Sequence, residues 1–297
     1  MIVPVATAIL LSFRISFSEY NSAPSTLKNV VLHGTTLATS DAFALGDVRC
    51  CAGVSSWSEV EETRSFVLVL TRYGCFHRRA DGVDVFVDSA TAYITRPGQE
   101  QQIAHPADTG DRCTVLRFDE GVCEALRASA FVVDPRTDVK HRQLLSHARQ
   151  GLDPFELDDR SWILVGSLEA SARHLHGASC RPRVAQQRRR TVDQVREALA
   201  TRLTSSLPTL AADVGVSPQH LSRTFRAHTG STLTDYRNGL RVRQVLERIA
   251  DGEGSLARLA GELGFTDQAH LTRTVRRTVG STPAVFRDQL GRVRPRA

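Results

Sequence analysis

The chain has 297 residues, 41% hydrophobic and 24% charged, which is room for two domains that each bury a core. Its 6 cysteines show no regular spacing and no Cys-x-x-Cys pair, which excludes a disulfide framework and a zinc-finger type of site and fits a reducing cytoplasm. Charge is unevenly divided: residues 181–297 hold 21 Arg, no Lys and 10 acidic residues, a net of +11, whereas residues 1–180 carry a net of −5. One end therefore suits a polyanion and the other does not. Genome composition can account for 36 Arg against 2 Lys, but not for this split.

In chain order, the first segment, IVPVATAILLSF, is apolar for about a dozen residues before Arg14. It contains Pro4, is short for a membrane span and lacks the basic leader of a signal peptide, so residues 1–35 are expected to be a poorly ordered tail, with the start codon placed upstream of the true domain as one explanation. From about Thr36 to Phe118 the sequence reads as short strands, RSFVLVLTRYGCFHRRA, VDVFVDSATAYITR and DRCTVLRF, punctuated by Asp81-Gly82, Pro97-Gly98 and Thr109-Gly110. Such spacing predicts a small β-barrel or sandwich over residues 36–135. From Val139 the pattern turns helical, and residues 136–186 are expected to form a helical dimerisation or linker segment ending in GASCRPRVAQQRRR.

The remainder, 187–297, reads as helices alone. Thr191 and Gln194 have capping-box spacing ahead of a stripe of Val195, Leu199 and Leu203. Leu207-Pro208 opens the next helix, Gly215 turns the chain, and Ser217 with Pro218 starts a helix whose buried face holds Leu221 and Phe225. A long helix from Thr232 to about Ala250 follows, and then the pattern returns: Gly264 as the turn, Thr266 as cap, Leu271 and Val275 inward.

That return is a repeat. Leu210 to Arg237 aligns with Leu259 to Arg287, and nine of the eighteen positions from His220 to Arg237 are identical at an offset of 50. Each copy is helix, glycine turn, helix, the arrangement that lays its second helix in a major groove. Opposite the apolar face, Gln219, Ser222 and Arg223 in the first copy and Gln268, Ala269, Thr272 and Arg273 in the second are the candidate base readers. Guanidinium groups suit guanine, and amides suit adenine. Candidate phosphate contacts are Arg188, Arg189, Arg190, Arg226, Arg237, Arg276 and Arg277, with Arg241, Arg243 and Arg287 as further basic residues for phosphate or solvent. A lone polar helix face is usually just solvated; two matched faces in a segment of net +11 weigh against that.

The motif LGFTDQAHLTRTVRRTVGSTPAVFR resembles the second-unit signature of the AraC/XylS family of bacterial transcription regulators, and the resemblance covers about residues 187–290. It implies an α+β multidomain chain: an all-α domain of seven helices carrying two helix-turn-helix units, behind an N-terminal cupin-like β-barrel that senses an effector or dimerises. Gly239 inside the long helix and Val275 at a usual Phe position depart from the family pattern. Expected partners are operator or promoter DNA, a small-molecule effector, a second copy of the chain and RNA polymerase, with no membrane, and the protein would act as an activator or a repressor.

For the N-terminal half, no cofactor and no catalytic residue are expected. A metal-dependent cupin enzyme is the alternative from another class, but the His-x-His pair it needs is absent from the β-rich region; only Glu100, His105 and His77 offer themselves. A thiol redox sensor is a second alternative, resting on Cys50, Cys51, Cys75, Cys113 and Cys123 near Arg49 or Arg112. The expected effector pocket takes Phe66, Leu68, Phe76, Phe86, Tyr93 and Ile94 as its lining. Leu144, Leu145, Ile163, Leu164 and Leu168 are read as a dimer seam.

Overall fold

The computed structural model describes residues 30–52, 57–106, 110–118, 130–172 and 182–290. The apolar N-terminal stretch, Cys123 and Cys180 lie outside them.

Among the described residues ten strands come first: β1 (Val30–Thr39), β2 (Phe43–Ala52), β3 (Glu61–Glu62), β4 (Phe66–Tyr73), β5 (Cys75–Ala80), β6 (Val83–Asp88), β7 (Thr91–Thr95), β8 (Glu100–Ala104), β9 (Asp111–Phe118) and β10 (Ala130–Val132). The first begins at Val30, ahead of the expected Thr36. Asp81 at φ 51° and Gly82 at φ 73° make the tight turn that pairs Ala80 with Val83. Pairing is antiparallel in two sheets, β1-β2-β9-β4-β7-β10 and β3-β8-β5-β6. Among the described residues these are two packed layers, not one hydrogen-bonded ring.

Alternation gives the larger sheet two different faces. One face, with Val69, Tyr93 and Cys113, meets Phe76 and Val87 of the smaller sheet. The other, with Leu45, Leu68, Leu70, Ile94 and Leu116, is covered by two helices, α1 (Pro135–Gln150) and α2 (Pro154–Ala172), through Leu144, Leu157, Leu164 and Leu168. Burying each such leucine is worth roughly 1.5–3 kcal/mol. The expected dimer seam is therefore mostly interior: Leu144, Leu164 and Leu168 pack on the sheet and Leu145 is also buried, while Ile163 stands 50% exposed.

Among the described residues seven helices follow: α3 (Pro182–Thr201), α4 (Leu207–Asp213), α5 (Pro218–Thr229), α6 (Leu233–Ala250), α7 (Leu256–Glu262), α8 (Gln268–Val279) and α9 (Pro283–Gln289). Because α3 starts at Pro182, part of the expected linker is helical and Thr191 is not a cap; its hydroxyl donates to the Gln187 carbonyl at 3.2 Å, inside the helix. Leu199, Leu210, Leu221, Phe225 and Leu240 form one core here, and Leu246, Leu259, Leu271, Val275 and Phe286 another. Among the described residues no helix is long and apolar enough to cross a membrane.

The two halves share these cores. Ala90 joins the first and Val139 of α1 joins the second. Buried polar contacts lock the boundary: Arg72 of β4 and Arg142 of α1 both donate to Glu247 of α6, Arg142 also to Asp138 at 3.0 Å. The Tyr236 hydroxyl and Arg196 meet Asp88, the latter at 3.2 Å. Arg243, expected at a phosphate or in solvent, is buried instead and donates to the Val133 carbonyl. Gly239 makes that possible, since a Cβ there would approach the Arg243 guanidinium to 3.3 Å. Arg241 is also buried, donating to the Leu203 carbonyl at 3.1 Å, and Arg287 donates to the carbonyls of Glu253 and Gly254.

Candidate nucleic-acid interface

Each repeat builds the same local unit. In the first, the Ser206 side chain accepts from the Thr209 amide to start α4, Gly215 at φ 68° reverses the chain, and Ser217 accepts from the His220 amide to start α5, with Pro218 in its first turn. In the second, Gly264 at φ 73° makes the turn after α7. The cap of α8 is Asp267, whose carboxylate accepts from the His270 amide at 2.6 Å, and not Thr266. The carboxylate also complements the positive end of the helix, which the hydroxyl cannot. Gly230 and Gly280, at φ 74° and 84°, close α5 and α8.

These caps fix the rotation of both second helices. Leu221, Thr224 and Phe225 are buried on α5; Leu271, Thr274, Val275 and Val279 are buried on α8. Val275 fills its site without exposure, as Phe225 does in the first copy. The opposite faces carry exposed Gln219, Arg223 and Arg226, and exposed Gln268, Ala269, Arg273, Arg276 and Arg277, with Ser222 and Thr272 half-buried at matching positions. Among the described residues no side-chain hydrogen bond or ion pair engages Arg223, Arg226, Arg273 or Arg276, so four guanidinium groups are turned to water. A cleft of about 380 Å³ runs beside α5, where Ser222, Arg223, Arg226 and Arg237 line one side and Leu199, Leu210 and Leu233 lie beneath.

The remaining basic residues are less uniform. Arg190 is exposed, Arg189 sits 3.8 Å from Asp193, and Arg237 donates to the Ser205 carbonyl at 3.2 Å. Arg188 is exposed and has a partner within the chain.

In the N-terminal half the six residues grouped as an effector pocket separate. Leu68 and Ile94, with Phe66 against them, belong to the core under α1 and α2; Phe76 and Tyr93 belong to the core between the sheets; Phe86 meets the His77 ring edge to face and lies under the Arg196 guanidinium. Neighbours in a strand point to opposite faces, so Tyr93 and Ile94 cannot line one cavity. His77 reaches Glu197 of α3 at 3.0 Å and Glu100 is exposed, whereas His105 meets Asp111 at 2.5 Å beside Cys50. Three buried thiols are disfavoured as thiolates: burial, then Asp111, pushes Cys50 up to about 12; burial, then Asp88, does the same for Cys75, and burial with Asp111 raises Cys113 well above its ordinary value. Thiolates lowered by Arg49 or Arg112 are thus not found at these positions.

The contacts across the boundary were hidden from pattern reading. Glu247 looks like one polar position in an Arg-rich helix, and only its place between Val245, Leu246 and Ile249, all buried, hinted at an inward carboxylate.

A helix-turn-helix domain family matches residues 210–289. The chain is 32% identical over 82 residues to the probable transcription factor PqrA of Proteus vulgaris, covering 28% of this chain and 67% of that protein. It is 34% identical over 113 residues to the regulatory protein Ada of Salmonella typhimurium, covering 36% of this chain and 31% of that one. Among solved structures, ToxT of Vibrio cholerae with an unsaturated fatty acid bound aligns with 87% of this chain and 99% of its own at 9% identity and a TM-score of 0.34. The chain spans about a quarter to a third of the length of the first curated relatives it matches. With the paired glycine turns and the length of PqrA that is covered, the chain belongs to the AraC/XylS family of transcription regulators.

Proposed function

We propose that the protein is a sequence-specific DNA-binding transcription regulator. Its C-terminal half, drawn from Pro182, acts as two helix-turn-helix units; its N-terminal half, drawn from Val30, acts as a cupin-like, effector-responsive domain. The observation that carries this reading is the matched pair of exposed faces: Gln219 with Arg223, and Gln268 with Arg273, each set behind a glycine turn and left without an internal partner. Ser222, Ala269 and Thr272 complete the base-reading faces, while Arg190, Arg226, Arg276 and Arg277 hold phosphate, aided by Arg188, Arg189 and Arg237 at its edge. The α6 helix, 18 residues and so about 27 Å long, is of a length that can roughly span the ~34 Å groove repeat between the two reading helices.

The working form in this reading is a homodimer, since pairing raises avidity for paired sites, and the exposed residues of α2, among them Trp162 and Ile163, are where the seam would have to lie. Transcription then responds through contact with RNA polymerase. Selection of bound sites from random duplexes with the full chain tests the core of this reading. Enrichment of a motif with two elements about 10 base pairs apart is expected; a bound pool with no enriched sequence overturns it.

A further inference from the structure

Cys50 and Asp111 are directly paired across β2 and β9, so their side chains leave the same face of the larger sheet, into the space between the layers. From the smaller sheet, His105 follows the end of β8 and reaches the same point. All three are buried, at 6%, 8% and 7% exposure for Cys50, His105 and Asp111. One donor atom of each lies within 4.8 Å of the other two. Cys113, two positions along β9 on the same face, holds its Sγ 3.1 Å from the second oxygen of Asp111.

Among the described residues the Asp111 carboxylate has no permanently charged partner, and the group beside it able to carry positive charge is the His105 ring. A buried carboxylate requires a compensating cation. Asp138 and Glu247 obtain theirs from arginine, but among the described residues no arginine or lysine pairs with Asp111. Its polar side-chain partners are the His105 ring and the Cys113 thiol. Phe76 packs on the His105 ring at 5.7 Å, so one wall of the site is apolar. A thiol, an imidazole and a carboxylate converging from β2, β9 and the end of β8 are the donor set of a soft divalent ion.

We propose that Cys50, His105 and Asp111 bind a thiophilic divalent transition-metal ion, of which zinc is the type. The ion displaces the proton shared by His105 and Asp111 and the proton of the Cys50 thiol, and both are released to water. Three protein ligands leave a fourth tetrahedral position to water, and Cys113 steadies the Asp111 oxygen that the ion does not use. The site differs from the His-x-His pattern, which is why reading along the strands does not find it. Its consequence for DNA rests on the regulator reading. Arg112, between Asp111 and Cys113 and so on the opposite face of β9, is 3.7 Å from Glu247 and ion-pairs with Asp251 at the end of α6. Metal on one face of β9 thereby bears on the helix that spaces the two reading units.

Titration of the metal-free full chain with Co²⁺, followed by back-titration with Zn²⁺, reads the site directly. One Co²⁺ per chain with a thiolate-to-metal charge-transfer band is expected, lost in Cys50→Ser and weakened at least tenfold in His105→Ala, but kept in Cys51→Ser. Far-UV circular dichroism separates loss of ligand from loss of fold. No band in the folded wild type, or an undiminished band in Cys50→Ser, overturns the site. Zn²⁺ should also change affinity for the selected duplex severalfold in the wild type and not in Cys50→Ser. Metal bound by these ligands in a chain that never prefers any duplex would refute the regulator reading and leave the site standing.

Discussion

Arg72 of β4 donates to Glu247 of α6 at 3.1 Å, with the two side chains only 1% and 4% exposed. Arg142 reaches the other oxygen of the same carboxylate, and Asp47 holds the far side of Arg72. Burying such a set gains little over an apolar replacement, but breaking it leaves charge stranded in a medium that cannot solvate it. The junction between the halves is therefore intolerant of partial loss.

Glu247→Gln should lower stability by about 3–5 kcal/mol, because Arg72 and Arg142 remain buried without their shared anion. Urea unfolding of the full chain measures this. A loss under about 1 kcal/mol would mean that the two arginines reach water.

Stability should fall on acidification in two stages. Burial alone would raise Asp138 and Glu247, but Arg142 and its neighbours outweigh it and hold both below the ordinary carboxylate range. Their contribution is complete above the unfolded values near pH 4 and is lost as pH drops toward the lower folded ones. His141 behaves as a base of opposite kind: burial lowers it and keeps the ring neutral, with its Nε2 2.8 Å from the Thr114 hydroxyl. The unfolded ring takes a proton near pH 6.5 and the folded one only at lower pH, so this loss starts there and deepens downward, by up to about 1.4 kcal/mol per pH unit. Thermal melts from pH 7 to 5 should show a shallower slope in His141→Gln than in the wild type; identical slopes would count against it.

Arg223→Ala and Arg273→Ala should each cost about 1–3 kcal/mol and relax preference at one position of the duplex, while Arg190→Ala should weaken all sequences alike and reduce the salt slope by about one. Fluorescence anisotropy on the selected duplex and its single-base variants distinguishes the two. Equal losses on random DNA for all three variants would refute the division of roles.

Asp267→Ala should destabilise by about 1 kcal/mol, since the His270 amide loses its acceptor, whereas Thr266→Ala should change little. Chemical unfolding of the two variants side by side is the check, and a larger effect at Thr266 would restore it as the cap.

Legibility followed the range of the interactions. The reading faces of α5 and α8 come from local periodicity plus caps, so Gln219, Arg223, Gln268 and Arg273 could be placed from the sequence, and Gly215 and Gly264 marked the turns. Asp267 was missed because Thr266 and Asp267 are both capable caps and only the backbone entry decides between them. The start of α3 was missed since RPRVAQQRRR lacks an apolar stripe, although its residues favour helix. In the N-terminal half strand identity was readable and facing was not. Tyr93 and Ile94 diverge, and Cys50, His105 and Asp111 converge, by registers that depend on which strands pair, and pairing is not a local property.

The double duty of α6 limits how such proteins can be recombined. Because Glu247 and Arg243 on that helix are completed by Arg72, Arg142 and the Val133 carbonyl, a chimera joining this C-terminal half to a foreign N-terminal half would inherit an orphaned acid and an orphaned guanidinium. A viable graft has to transplant those partners as a set, with Gly239 retained to admit Arg243. Swapping cut points between the halves would otherwise yield chains that fail at the seam before they ever meet an operator.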